Sequence, residues 1–303
     1  MINKEKFRAA YYKYFEEKII PQIQAMEKYR KKTVIKVIGI SLTFLLLGLI
    51  FSYIFILLML KLEYNFILWP LILFLMYACL IQSIVTVIIT SREYLLKLQD
   101  DVLPLFFPVI ANFKNWPKNF SIATILDSEL FPNFDTQEDI RSFFGFYNKT
   151  NIIVSDTKLT LPFKVQNKPN LFRGITIQLE LEKSFNNHVI LISKNEHKYN
   201  RYRQAKPPIS ELNQFLYTFA KNPENIDFIN QEFWEAIKEL GAVFTAKGFS
   251  MSVKDNIILI ALRSKRPLQF GFLFKSLVKA KNYDDLINKF IVIYNLVNIL
   301  NKS

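Results

Sequence analysis

Two apolar runs, Val37–Leu60 and Phe66–Thr90, constrain this chain more than any other feature. Neither holds a charged side chain, and only Lys61-Leu62-Glu63-Tyr64-Asn65 separates them. Each is about 24 residues long, and a helix rising 1.5 Å per residue needs roughly 20 to cross a bilayer core. So short a connector forces the helices antiparallel. The pair predicts a transmembrane helical hairpin.

Charge sets its orientation. Arg30, Lys31, Lys32 and Lys36 precede the first run, Arg92 and Lys97 follow the second, and the connector offers only Lys61. By the positive-inside rule both termini are expected to face the cytoplasm, and the outer face is too small for a receptor or catalytic site. Neither span contains an ionisable group, which argues against a pump or transporter. The hydroxyls of Ser41, Thr43, Ser52, Ser83 and Thr86 are expected to bond within their helices or across the hairpin. The single cysteine, Cys79, lies inside the second run and leaves no intramolecular disulfide.

Met1–Lys32 does not read as a signal peptide, since it is polar and basic. Phe7, Tyr11, Tyr14, Phe15, Ile19 and Ile20 fall at helical spacing, so residues 1–36 are expected as a cytoplasmic amphipathic helix broken near Pro21. Residues 37–90 form the hairpin, with spans at 37–60 and 66–90. Residues 91–120 read as a juxtamembrane helix and linker interrupted by Pro104 and Pro108, and the two flanking helices are expected to pair below the hairpin.

Residues 121–303 have the patterning of an α+β domain. A short helix carries Ile122, Ile125, Leu126 and Leu130. Strand-like runs follow at Ile140–Tyr147 and Ile152–Lys158, across a turn at Asn148-Lys149-Thr150. In Leu171–Glu182 the residues Ile175, Ile177, Leu179 and Leu181 alternate with Thr176, Gln178, Glu180 and Glu182, which predicts one buried and one wet face. Phe185-Asn186-Asn187 is expected to turn that strand into Val189–Ile192, and Asp255-Asn256 to join Phe249–Lys254 to Ile257–Leu262 as a second hairpin. Helices are predicted over Ser210–Ala220 and Asn230–Leu240, with Ser210 and Asn230 as caps and Gly241 just past the end. Asn282 is expected to cap a last helix with an apolar stripe at Leu286, Phe290, Ile293 and Val297. Antiparallel strands and helices are segregated, hence α+β.

This order of features resembles a bacterial family of two-span membrane proteins described as a domain of unknown function, numbered thirty-one thirty-seven. The matching residues are Tyr12–Pro21, the hairpin, Leu171-Phe172-Arg173-Gly174, Phe233–Leu240 and Pro267–Leu277, including Leu273-Phe274-Lys275-Ser276-Leu277. The chain departs from the family at the turn before Asn151, where the family is richer in glycine. The resemblance implies a cytoplasmic α+β domain on a two-span anchor, often encoded beside a small helical membrane protein of coiled-coil character. It carries no catalytic residues.

The residues themselves supply little chemistry. His188 and His197 are the only histidines, without metal-ligand spacing. The seven glycines form neither a Walker loop nor a GxGxxG turn. No catalytic, metal or cofactor-binding set is predicted, and Glu180/Glu182 and Asp284/Asp285 read as a solvated strand face and a helix start. The formal net charge of +13 matters only where it clusters, which is in residues 194–206. There Lys194, Lys198, Arg201, Arg203 and Lys206 interleave with Tyr199 and Tyr202. The bland reading is a solvated loop. The sharper one is an anionic-lipid or acidic-partner surface, with nucleic acid behind both. Phe143, Phe144, Phe146, Phe270, Phe272 and Phe274 crowd two short strands, as core or as interface. The resulting expectation is a membrane-anchored interaction or scaffold protein acting in a homo-oligomer or with a helical membrane partner. The competing expectation is a membrane-tethered enzyme acting on lipid or peptide, or a lipid-binding module working through the basic loop.

Overall fold

The computed structural model describes residues 4–61, 68–110, 114–115, 121–132, 134–161, 170–194, 202–264, 268 and 270–302. The chain forms two compact units, each drawn from separated stretches: Phe15–Leu103 with Phe270–Asn282, and Met1–Tyr14 with Pro104–Gln269 and Tyr283–Ser303.

The first unit is helical. It begins with a π-helical turn, Phe15–Ile19, that continues helix α1 (Lys4–Tyr14) of the second unit into α2 (Ile20–Lys61), and α3 (Leu68–Asp101) follows. The break expected near Pro21 does not occur. A proline ring collides with the carbonyl four residues earlier and leaves it without a donor. Widening that turn to π spacing absorbs the misfit without ending the helix. Over Lys4–Leu57 and Leu73–Asp101 the helices are long and apolar enough to cross a membrane, which points to membrane association. Thr43, Ser52 and Thr86 bond locally as expected, each donating to the carbonyl four residues back, and Ser52 also lies 3.0 Å from Met76 Sδ, whereas the Ser41 hydroxyl is buried without a hydrogen-bond partner among the described residues. The flanking segments pair, with Tyr29 stacked on Tyr94 at 6.4 Å and Lys97 Nζ 4.4 Å above the Tyr29 ring.

Phe270–Asn282 closes this unit and is not a strand. Gly271 takes φ +69°, and a Cβ there would stand 2.3 Å from Leu98 Cδ2. Leu273 and Leu277 are buried. A buried ion pair fixes them. Arg30 donates to both oxygens of Glu27 at 2.8 Å and, through Nη1, to the Leu273 carbonyl at 3.0 Å. Glu27 also accepts from Leu277 N at 2.9 Å and from Ser276 Oγ at 3.4 Å. Burial pushes the Glu27 carboxyl up, but these donors outweigh it and leave the group below its usual range.

The second unit is α+β. Its strands are β1 (Lys114–Asn115), β2 (Thr136–Tyr147), β3 (Thr150–Thr160), β4 (Asn170–Ser193), β5 (Arg203–Ala205), β6 (Leu216–Ala220) and β7 (Gly248–Arg263). Its helices are α1 with α4 (Ile122–Asp127), α5 (Ser210–Phe215), α6 (Gln231–Val243) and α7 (Asp284–Lys302). All pairings are antiparallel, in the order β1-β2-β3-β4-β6-β5, with β7 also on β4. The two hairpins expected at Asn186-Asn187 and Asp255-Asn256 are absent. β4 and β7 instead run side by side, Gly174 facing Arg263 and Ile192 facing Ser250, and the turn-forming residues meet at one irregularity. Between Glu180 and Val189, β4 spends more residues than β7, and the surplus is taken up as a bulge. Buried Asn187 pins it, donating to the Asn222 and Asn225 carbonyls and accepting from Asn222 N. Asp255, at φ 53°, takes the left-handed conformation on the facing strand.

The hairpin β2–β3 turns at Asn148 and Lys149, both with positive φ, which suits a tight two-residue turn and needs no glycine. The alternation in β4 is half right. Ile175, Ile177, Leu179 and Leu181 are buried as expected, but Thr176 and Gln178 are buried too. Their face carries Leu159, Phe172, Leu259 and Ala261 and is covered by Ile125, Leu130, Phe131 and Phe134. Its hydroxyls satisfy one another, Thr176 with Thr157 at 2.7 Å and Ser155 with Ser142 at 2.9 Å. Asn230 caps α6 by accepting from Phe233 N at 2.9 Å, as predicted, whereas Gly241 lies inside that helix. The helix expected over Ser210–Ala220 stops at Phe215, and Ile209, not Ser210, is its N-cap. Leu216–Ala220 pairs instead with Val189–Ser193. The last helix begins at Asp284 and is buried nearly all round, including Lys289 and Asn295. Asn282 does not cap it and donates to the Ser276 carbonyl. Helix α1 packs here, with Tyr12 OH donating to Asp284, Arg8 to Asn288 at 2.8 Å, and Lys4 paired with Glu239.

Candidate functional site

The basic stretch starts at the edge of a groove. Lys194 follows the end of β4, and its backbone N–H donates to the Phe215 carbonyl at 3.1 Å. With Phe215, Trp234, Ile237, Lys247 and Phe249 it lines a hollow of about 480 Å³ between α5, α6 and the ends of β4 and β7. The floor is apolar and the Phe215 ring is 57% exposed, stacked on Trp234 at 6.1 Å. Lys238 sits on the rim, 2.8 Å from Glu235 and 3.1 Å from Glu211, with its ammonium 5.5 Å from the Trp234 ring. The buried Trp234 N–H closes no hydrogen bond, yet it lies near enough that, with Lys238, it holds the Glu211 carboxyl below its usual range. An open apolar hollow with Lys194 and Lys247 on its edge, and Lys238 neutralised there by Glu211 and Glu235, can take an amphipathic ligand, and among the described residues nothing converges on one reacting atom.

Of the five cations expected to act together, Lys194 lines this groove, with Nζ 5.5 Å from the Tyr217 ring. Arg203 opens β5 and Lys206 follows it, both exposed. Lys198 and Arg201 lie outside the described residues. Phe143 and Phe270 are buried, whereas Phe146 and Phe274 are exposed. The aromatic set is therefore divided between core and surface.

A second polar array was not readable in the sequence. His188 stands 2.9 Å from Ser252 Oγ through Nε2 and 3.0 Å from Tyr202 OH through Nδ1, and Tyr202 OH lies 3.3 Å from Glu129. A tyrosine that donates to Glu129 must accept from Nδ1–H, which leaves Nε2 to accept from Ser252. That is the order of nucleophile, base and orienting group. Access decides against catalysis. Ser252 is 1% exposed, and the cavity it borders holds about 130 Å³, well below the size of a substrate pocket. The array braces the β4 bulge against the turn at Glu129. Among the described residues no group of three His, Cys, Asp or Glu could hold a metal.

His188 makes the domain sensitive to acid. Burial lowers its pKa from the ordinary 6.5, aided by Lys254 and opposed by Glu129, Asp255 and the Ser128 backbone. The unfolded chain therefore binds the proton first, so stability present above the ordinary value is lost as pH falls below it. Unfolding midpoints of the full chain in detergent are expected to drop as pH falls below the ordinary 6.5. His188→Gln should flatten that slope. Equal slopes in the two proteins would rule out the ring as the cause.

No family model matches the chain, and no curated protein matches it. Among solved structures, the mycobacterial trehalose monomycolate transport factor A aligns over 62% of this chain and 88% of its own, at 10% identity and a TM-score of 0.33. A likeness at that level carries no argument about function.

Proposed function

We propose that this chain is a membrane-anchored interaction module of a bacterial inner membrane. In this reading α2 and α3 cross the bilayer with both termini cytoplasmic, and the α+β unit binds an acidic amphipathic segment of a helical membrane-protein partner. The groove is the observation that carries it. Its floor is hydrophobic, its rim carries Lys194 and Lys247 beside a Lys238 already paired with Glu211 and Glu235, and one exposed aromatic, Phe215, is stacked in place. Exposed aromatics on a rigid support are typical anchors of protein interfaces, and cations at the edge select an acidic partner.

The test is a photo-reactive phenylalanine analogue at Phe215, introduced into the full chain in its native membrane. The expected product is a discrete protein adduct whose cross-linked peptide is acidic and amphipathic by mass spectrometry. It should be lost on Lys194→Glu. A lipid adduct, an adduct with a second copy of the chain, or none would overturn this reading.

A further inference from the structure

Phe270–Asn282 has two faces. Phe270, Leu273 and Leu277 are buried within the helical unit, whereas Phe272, Phe274 and Val278 are exposed at 38%, 61% and 36%. Lys275, Lys279 and Lys281 are exposed with them, and the segment contains no carboxylate. Its height along the helices is fixed by Arg30, whose guanidinium holds the Leu273 carbonyl. Arg30 is about 10 Å of helix below Val37, where the uncharged run begins. The headgroup layer adds roughly 5–7 Å to each side of the hydrocarbon core, so Leu273 is held a few ångströms beyond its outer edge, within reach of a Phe or Lys side chain, and Leu277, held by Glu27 one turn lower, lies about 15 Å below Val37. Exposed Lys31, Lys32, Lys36 and Arg92 occupy the level between.

We infer that Phe270–Asn282 is a lipid-contacting element. Its exposed aromatic rings face the outer edge of the bilayer interface, and its three lysines, held within about a Debye length of the leaflet, are drawn to anionic phospholipid headgroups. The inference rests on the reading that α2 and α3 span the membrane. Three observations favour a bilayer over a protein surface. The exposed charges are of one sign, complementary to an anionic leaflet. Aromatic rings with lysines beside them suit the boundary between headgroup and hydrocarbon, and Lys275 Nζ already sits 4.6 Å from the Phe272 ring. The Glu27–Arg30 pair holds the segment in place, so little ordering is required when lipid binds.

The experiment uses the full chain carrying Cys79→Ser, reconstituted into nanodiscs of phosphatidylcholine, alone or with a third phosphatidylglycerol. A nitroxide at Phe274→Cys reports collision with oxygen and with a water-soluble nickel chelate, and a second at Leu46→Cys reports on the span itself. Position 46 is expected to show a hydrocarbon signature in both membranes. Position 274 is expected to show an interfacial one that deepens with phosphatidylglycerol. Reversing Lys275, Lys279 and Lys281 to Glu should lower the lipid-engaged fraction by more than about tenfold, each lysine contributing up to about fivefold and less with distance from the leaflet. An aqueous signature at 274 beside a hydrocarbon one at 46 would overturn this inference alone. An aqueous signature at 46 would overturn the spanning reading and this inference with it.

Discussion

Glu27→Ala is expected to destabilise the helical unit by about 3–5 kcal/mol, because it strands the Arg30 guanidinium in a buried site. Glu27 and Arg30 are among its buried side chains, at 7% and 9% exposure. The substitution removes two charge-assisted bonds to Arg30 and the acceptor of Leu277 N together. Replacing both partners with Leu and Met should cost far less, since no charge is left unpaired. Thermal unfolding in detergent reads the difference, and protease cleavage within Phe270–Asn282 reports whether that segment is released first. A double variant as unstable as Glu27→Ala would mean that the loss comes from packing and not from the orphaned charge.

Gly174→Ala should cost about 3 kcal/mol, at the upper end for overpacked sites. A Cβ at Gly174 would stand 2.0 Å from the Leu262 carbonyl oxygen. The obstacle is backbone, at the last pair of the β4–β7 ladder, with Gly174 held by Thr157 on one side and Arg263 on the other, so no side chain can swing away. The expected result is a lowered unfolding midpoint with the helical signal retained. A midpoint unchanged from wild type would show that the two strands can part there at no cost.

Much of the fold could be read from local pattern. Unbroken apolar runs predict α2 and α3, two-residue alternation predicts the first half of β4, and Asn230 predicts the start of α6. The errors share one cause. Asn186-Asn187 and Asp255-Asn256 have the chemistry of reversals, but a positive φ serves a bulge as well as a turn, and only the partner strand decides between them. Leu216–Ala220 likewise follows a short helix without punctuation and becomes a strand because Val189–Ser193 needs an edge partner.

The candidate site was legible only at Lys194, where charge density drew attention. Phe215, Trp234 and Phe249 come from three elements that tertiary packing alone brings together. His188, Ser252, Tyr202 and Glu129 are farther apart still in sequence. The one available signal was the presence of a histidine in an apolar strand.

The partnership of α1 with α7 also sets a timetable. Tyr12 and Asp284 meet across a sequence separation of 272 residues, so a ribosome adding about 5–20 residues per second needs roughly 15–55 s between them. During that interval α2, α3 and Phe106, against which Tyr11 packs, have emerged, while Asp284 and Asn288, the partners of Tyr12 and Arg8, have not. The domain is therefore a late product of its own synthesis.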